Sequence, residues 1–200
     1  MTAIPSHDEM VALFKQQLEL CKLTTVETVA VLHEGSCLAE YADAFLDAAN
    51  MIGANAVDVH LRPELETSLE ERFTNFGTNP LNENPDALQN CKDADIVVDL
   101  MVASFSAAET EIKDADSRIL LVCEEFDTLN RLLPTPELKA RTEASLARLQ
   151  AARDFRFTND AGTDISYTFG PNYTPLSEYG YTDEPGRWDH WPGGLAAHCP

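Results

Sequence analysis

Apolar and polar positions fall along this chain in blocks that read helix, strand, helix, strand. Over residues 7–22, Met10, Val11, Leu13, Phe14, Leu18 and Cys21 recur near helical spacing. Ser6 supplies an N-cap there, and Glu9 three residues later completes a capping box. Residues 28–33 form a short apolar run of strand length ending in Glu34-Gly35-Ser36, and the CLAEYADAFLDAANMIG segment that follows is an apolar-periodic helix stopped by Gly53. A second strand over 56–61 closes a β-α-β unit, whose right-handed crossover builds a parallel sheet.

The alternation continues. Pro85 opens a short helix over 86–92, and 95–102 is a buried strand that runs into Ala103-Ser104-Phe105-Ser106 and a helix to about Lys113. Residues 118–123 are a fourth strand. These strands are continuously apolar rather than alternating, which requires helices on both faces of the sheet. The fold class expected is α/β, a Rossmann-like three-layer sandwich with a mostly parallel sheet. Past Pro134-Thr135-Pro136 a helix resumes to about Arg153, with Leu138, Arg141, Leu146, Leu149 and Ala152 on one face. The period then changes. Residues 155–158 and 165–169 alternate polar and apolar around Asn159-Asp160-Ala161-Gly162, an antiparallel hairpin. The domains expected are therefore 1–153, the Rossmann-like part, and 154–200, the beginning of a second, β-containing domain that GGLAAHCP leaves incomplete.

Charge narrows the partners. Fourteen basic against thirty-four acidic residues give a net charge of -20, which repels nucleic-acid phosphate and anionic lipid. No nucleic-acid or membrane partner is expected. MTAIPSHDEM carries no basic region followed by an apolar run, and no stretch reaches the ~18 apolar residues of a membrane span, so the cytoplasm is expected. Cys21, Cys37, Cys91, Cys123 and Cys199 lack CxxC spacing and read as reduced core cysteines rather than a zinc or disulfide framework. The turn at His33-Glu34-Gly35-Ser36 has one glycine, not the G-x-G-x-x-G of a dinucleotide site. His33 and His60 sit at strand ends, where open α/β sheets bind ligands, and read as polar residues finishing strands. Glu64, Glu66, Glu70 and Glu71, in the polar connection over 62–84, read as a solvated face.

Candidate chemistry concentrates in SEYGYTDEPGRWDHWP, residues 177–192, which shows neither helical nor strand period. Prolines and glycines hold turns there, while Trp188, Trp191, Tyr179 and Tyr181 are large apolar bodies with polar tips, suited to walling a pocket. Glu178 and His190 lie between them and can exchange protons with a ligand. The alternative is a buried Trp-Pro loop whose His and Glu only bond backbone. Arg187 and Asp189 read as a structural ion pair. Ser104, Phe105, Ser106 and Glu124 follow strands whose carboxyl ends face the ligand crevice of such folds.

EYGY-x-DEPGRWDHWP, together with ADIVVDLM and RILLVCEE, resembles the 2,5-dihydroxypyridine 5,6-dioxygenases, iron(II)-dependent ring-opening enzymes of nicotinate and nicotine breakdown whose fold is related to metallo-aminopeptidases. The ten consecutive residues DEPGRWDHWP are the most specific part. The resemblance implies Fe(II) as cofactor, a small aromatic substrate and O2 as partners, and a homo-oligomer. It implies a longer protein, with the iron ligands mostly C-terminal to this stretch and none nominated within it. His190 and Glu178 become catalytic candidates, with Ser104, Phe105, Trp188 and Trp191 as substrate-binding candidates; His198 lies outside the matched motif and is read as incidental. In the family the loop after the ADIVVD strand carries a histidine proposed as a base, and an ungapped reading places Phe105 there. Phe cannot move a proton, so another group does that work, the register shifts, or the substrate differs. A metallo-aminopeptidase and a non-catalytic assembly module are the alternative functions.

Overall fold

The computed structural model of the chain describes residues 5–68 and 70–198, so Cys199 and the first four residues lie outside it. The described residues fall into two compact units: the chain up to Pro134 together with Gly180–Gly193, and Thr135–Tyr179 together with Gly194 onward. The division comes before the last long helix, at Pro134/Thr135, not near residue 153.

The first unit holds helix α1 (His7–Leu20), strand β1 (Thr28–Glu34), α2 (Ala39–Ile52), β2 (Asn55–Leu61), α3 (Pro85–Asp93), β3 (Ile96–Asp99), α4 (Ala107–Asp114), β4 (Arg118–Val122) and α5 (Phe126–Arg131). The second begins with α6 (Pro136–Ala151), β5 (Asp154–Thr158), β6 (Asp164–Thr168) and β7 (Leu176–Glu178). The chain then returns to the first unit for β8 (Trp188–Trp191) before closing the second with β9 (Leu195–Ala197).

Local chemistry sets these boundaries. Ser6 and Glu9 form the reciprocal capping box of α1, and Gly53, at φ 90°, closes α2 in a left-handed conformation that costs glycine little. The strand β3 stops at Asp99, short of residue 102, because the Asp99 carboxylate accepts the backbone N–H groups of Met101 (3.0 Å) and Ala103 (2.8 Å) and turns the chain out of the sheet.

The sheet of the first unit has five parallel strands in the order β2-β1-β3-β4-β8. Residues alternate between its two faces. Ala30, Leu32, Val97 and Ile119 meet Ala87 and Cys91 of α3 and Ala108 and Ile112 of α4 in one core, with Trp188 packed at its margin. In the opposite layer, Phe14 of α1 stacks on Phe45 of α2 at 4.0 Å and meets Trp191 edge-on at 6.0 Å. Covered faces explain the continuous apolar strands.

The fifth strand is not visible as a period in the sequence. WDHW was expected to lie in a turn-rich loop; it is an edge strand paired with β4, Leu121 opposite His190 and Val122 opposite Trp191. Its alternation is real but hidden by polarity, since the two inward positions are Trp191 and Asp189, both fully buried. Asp189 is tolerated there because Arg187 pairs with it through Nε at 2.9 Å and the N–H groups of Gly180 (2.8 Å) and His190 (3.0 Å) donate to it. The re-entry is fixed at Gly180, whose carbonyl accepts from buried Gln17 Nε2 at 2.6 Å and whose φ of 96° leaves no room for a side chain, an added Cβ lying 2.9 Å from that of Pro134.

In the second unit β5 and β6 pair antiparallel in the expected hairpin, and β7 pairs antiparallel with β9. Phe155, Tyr167, Phe169 and Tyr173 gather around His198, which is hydrogen-bonded to the Tyr167 hydroxyl, so His198 has a packing role in this unit. Among the described residues no helix is long and apolar enough to cross a membrane.

Candidate functional site

Parallel strands that all point one way bring their carboxyl ends to one edge, and the strand order reverses between β1 and β3, where a crevice opens. There the chain forms a pocket of about 270 Å³, lined by Glu34 at the end of β1, Arg62 after β2, Leu100 after β3, and Thr67, Arg72 and Asn75 from the connection between β2 and α3. Asn75 Nδ2 donates to Glu34 Oε2 at 2.8 Å and to the Met101 carbonyl at 3.1 Å, Arg62 pairs with Glu34, and Arg72 Nη2 donates to the Cys123 carbonyl at 2.7 Å. The connection whose glutamates were read as a solvated face also carries buried Arg72 and Asn75 into the crevice. Sequence reading missed them because nothing in their local pattern marks burial.

Further along the same edge, β4 and β8 bring three reactive side chains together. His190 Nε2 lies 3.4 Å from Cys123 Sγ and 4.0 Å from Glu124 Oε1. Burial lowers the His190 pKa below its ordinary value and the Glu124 carboxylate partly opposes that. Burial pushes the Cys123 thiol up to about 11, with Glu124 adding to the rise. At neutral pH the thiol keeps its proton, and the imidazole is held toward its neutral form, able to accept one proton. Cys123 is a residue that its own neighbours in sequence gave no reason to single out; its partner is 67 positions away.

The other nominated residues take separate places. Trp188 lies on the His190 face of β8, half-buried, while Trp191 is on the opposite face, in the core against Phe14. Ser104 is buried at 1 % exposure, its carbonyl accepting from Gly77 N–H at 2.9 Å and its hydroxyl without a hydrogen-bond partner among the described residues. Phe105 is 72 % exposed at φ 61°, its ring 4.8 Å from that of Phe76. Glu178 belongs to β7 of the second unit, half-buried, its carbonyl accepting from Gly194 N–H at 2.7 Å.

Cys123, Glu124 and His190 place ligand atoms within 4.8 Å of one another. For iron(II) to use all three, binding would have to displace the proton that burial keeps on the Cys123 thiol.

The family model for NicX, 2,5-dihydroxypyridine 5,6-dioxygenase, matches residues 9–200. The chain belongs to the 2,5-dihydroxypyridine 5,6-dioxygenase family. A 2,5-dihydroxypyridine 5,6-dioxygenase of Pseudomonas putida is 34% identical over 198 residues, which are 98% of this chain and 56% of that protein. The solved structure of the 2,5-dihydroxypyridine dioxygenase from Pseudomonas putida superposes with a TM-score of 0.88 at 32% identity, covering 98% of this chain and 57% of the solved one. The chain thus spans just over half the length of the family relatives it matches. Membership in the dioxygenase family agrees with the parallel sheet and its helical layers.

Proposed function

We propose that this chain is part of a ring-opening dioxygenase acting on a dihydroxylated pyridine, 2,5-dihydroxypyridine or a close analogue, in aromatic N-heterocycle breakdown. The observation that carries the reading is the family match over residues 9–200. Both oxygen atoms of O2 enter the product as a ring C–C bond opens. Iron(II), held by ligands outside these residues, supplies the redox chemistry in this reading. The chain's own residues supply position and protons. His190, half-buried and biased toward neutral imidazole, accepts a proton from a ring hydroxyl, and Glu124 stabilises the imidazolium that results. Trp188 shapes the wall on the His190 face, and the Ser104-Phe105 loop borders the substrate. A homo-oligomer in the cytoplasm accompanies this reading.

The test is oxygen uptake by the full-length protein, loaded anaerobically with iron(II), on 2,5-dihydroxypyridine and related dihydroxylated rings. Stoichiometric uptake with loss of the ring absorbance is expected. Peptide hydrolysis without uptake on any ring would overturn the reading.

A further inference from the structure

At the edge of the sheet away from β8, His33 of β1 and His60 of β2 are register partners, and Asp58 precedes His60 by the two residues that return a strand to the same face. The two imidazoles stack with centroids 4.0 Å apart, and ligand atoms of His33, Asp58 and His60 all lie within 4.8 Å of one another.

Their hydrogen bonds determine where the lone pairs are. His60 Nε2 lies 2.8 Å from the Gly35 carbonyl. A carbonyl only accepts, so Nε2 carries the proton and the neutral ring has its lone pair on Nδ1, which has no hydrogen-bond partner among the described residues. A metal-binding histidine is oriented in this way, with one nitrogen tied to a carbonyl and the other left open. His33 Nε2 lies 2.7 Å from Asp58 Oδ1. His33 is 4 % exposed and its Nδ1 also lacks a partner, so the ring has an unsatisfied polar atom inside the protein. Asp43 of α2 adds negative potential at the same ring.

We propose that His33, Asp58 and His60 bind a divalent transition-metal cation of the zinc, cobalt or nickel class. Two imidazoles and one carboxylate favour such an ion over calcium or magnesium, which take oxygen ligands. The ion takes the open Nδ1 of His60, whose Nε2–H stays on the Gly35 carbonyl, and the Asp58 carboxylate, and His33 ligates through Nε2 as its ring proton shifts to the unpartnered Nδ1. Water fills the remaining positions. The cation ties the edge strand β2 to β1. This site is separate from His190, which stands on the opposite edge and the opposite face of the sheet, and the inference does not depend on the reaction proposed above.

Cobalt(II) is the probe, added to the metal-free 200-residue chain and followed by its visible absorption and by calorimetry. Binding of one ion is expected, weakened at least tenfold in H60A and in D58N, with both variants folded because these two side chains are exposed. C123A and H190A are expected to bind as the parent does. A thiolate-to-cobalt charge-transfer band, loss of binding in H190A, or unchanged affinity in H60A and D58N would each overturn the proposal.

Discussion

His190 Nε2, on β8, stands 3.4 Å from Sγ of Cys123, the residue after the neighbouring strand β4, with the Glu124 carboxylate 4.0 Å away. Because burial lowers the His190 pKa and Glu124 raises it, E124Q is expected to lower it further. An NMR titration of the imbedded imidazole measures this. A rise, or no change, would show that Glu124 does not act on the ring.

In full-length enzyme, H190A is expected to slow turnover by about 10²-fold or more, in the range that a positioned proton acceptor contributes. Oxygen-uptake kinetics on 2,5-dihydroxypyridine measure kcat and KM separately. Normal kcat with a raised KM would leave His190 a binding role only.

Asp99 gives the stability a defined pH signature. Burial raises its pKa from 3.8 to about 6, against the opposing hydrogen bonds from Ala103 and Met101. The folded state therefore holds this proton more tightly than the unfolded chain does. Its contribution is fully present below about pH 4 and is lost as pH rises through about 6, by roughly 3 kcal/mol at most. Urea unfolding of parent and D99N between pH 4 and 8 isolates it: the parent should lose stability relative to D99N with rising pH. A constant difference would mean that Asp99 does not titrate in that window.

Arg187 holds a buried charge in place. R187A removes the cation from Asp189, which is 0% exposed, and is expected to cost about 3–5 kcal/mol in urea unfolding. The double variant R187A/D189N should recover part of that loss. Equal stability of R187A and the parent would mean that backbone N–H groups alone suffice for Asp189.

Trp191 is fully buried against Phe14, so W191A opens a large cavity beneath the edge strand and is expected to cost about 3–5 kcal/mol. Calorimetric unfolding measures it. A loss below about 1 kcal/mol would place the indole at a site that collapses freely.

The sequence determined what is local. Continuous apolar runs such as residues 28–33 and 118–122 marked strands covered on both faces, the Ser6–Glu9 box and Gly53 marked helix ends, and alternation over 155–158 and 165–169 marked the hairpin. DEPGRWDHWP marked the family, because its composition is unusual over consecutive positions. Tertiary structure decided what depends on distant pairs. That WDHW is a strand follows from β4 offering it a free edge and from Arg187 and two backbone N–H groups neutralising Asp189, neither of which has a local period. The opposition of His33 and His60, the entry of Arg72 and Asn75 into the crevice, and the meeting of Cys123 with His190 are likewise products of strand register and chain return. A side chain's spacing in sequence carries information about its own element; which side chain it meets is fixed only when the elements pack.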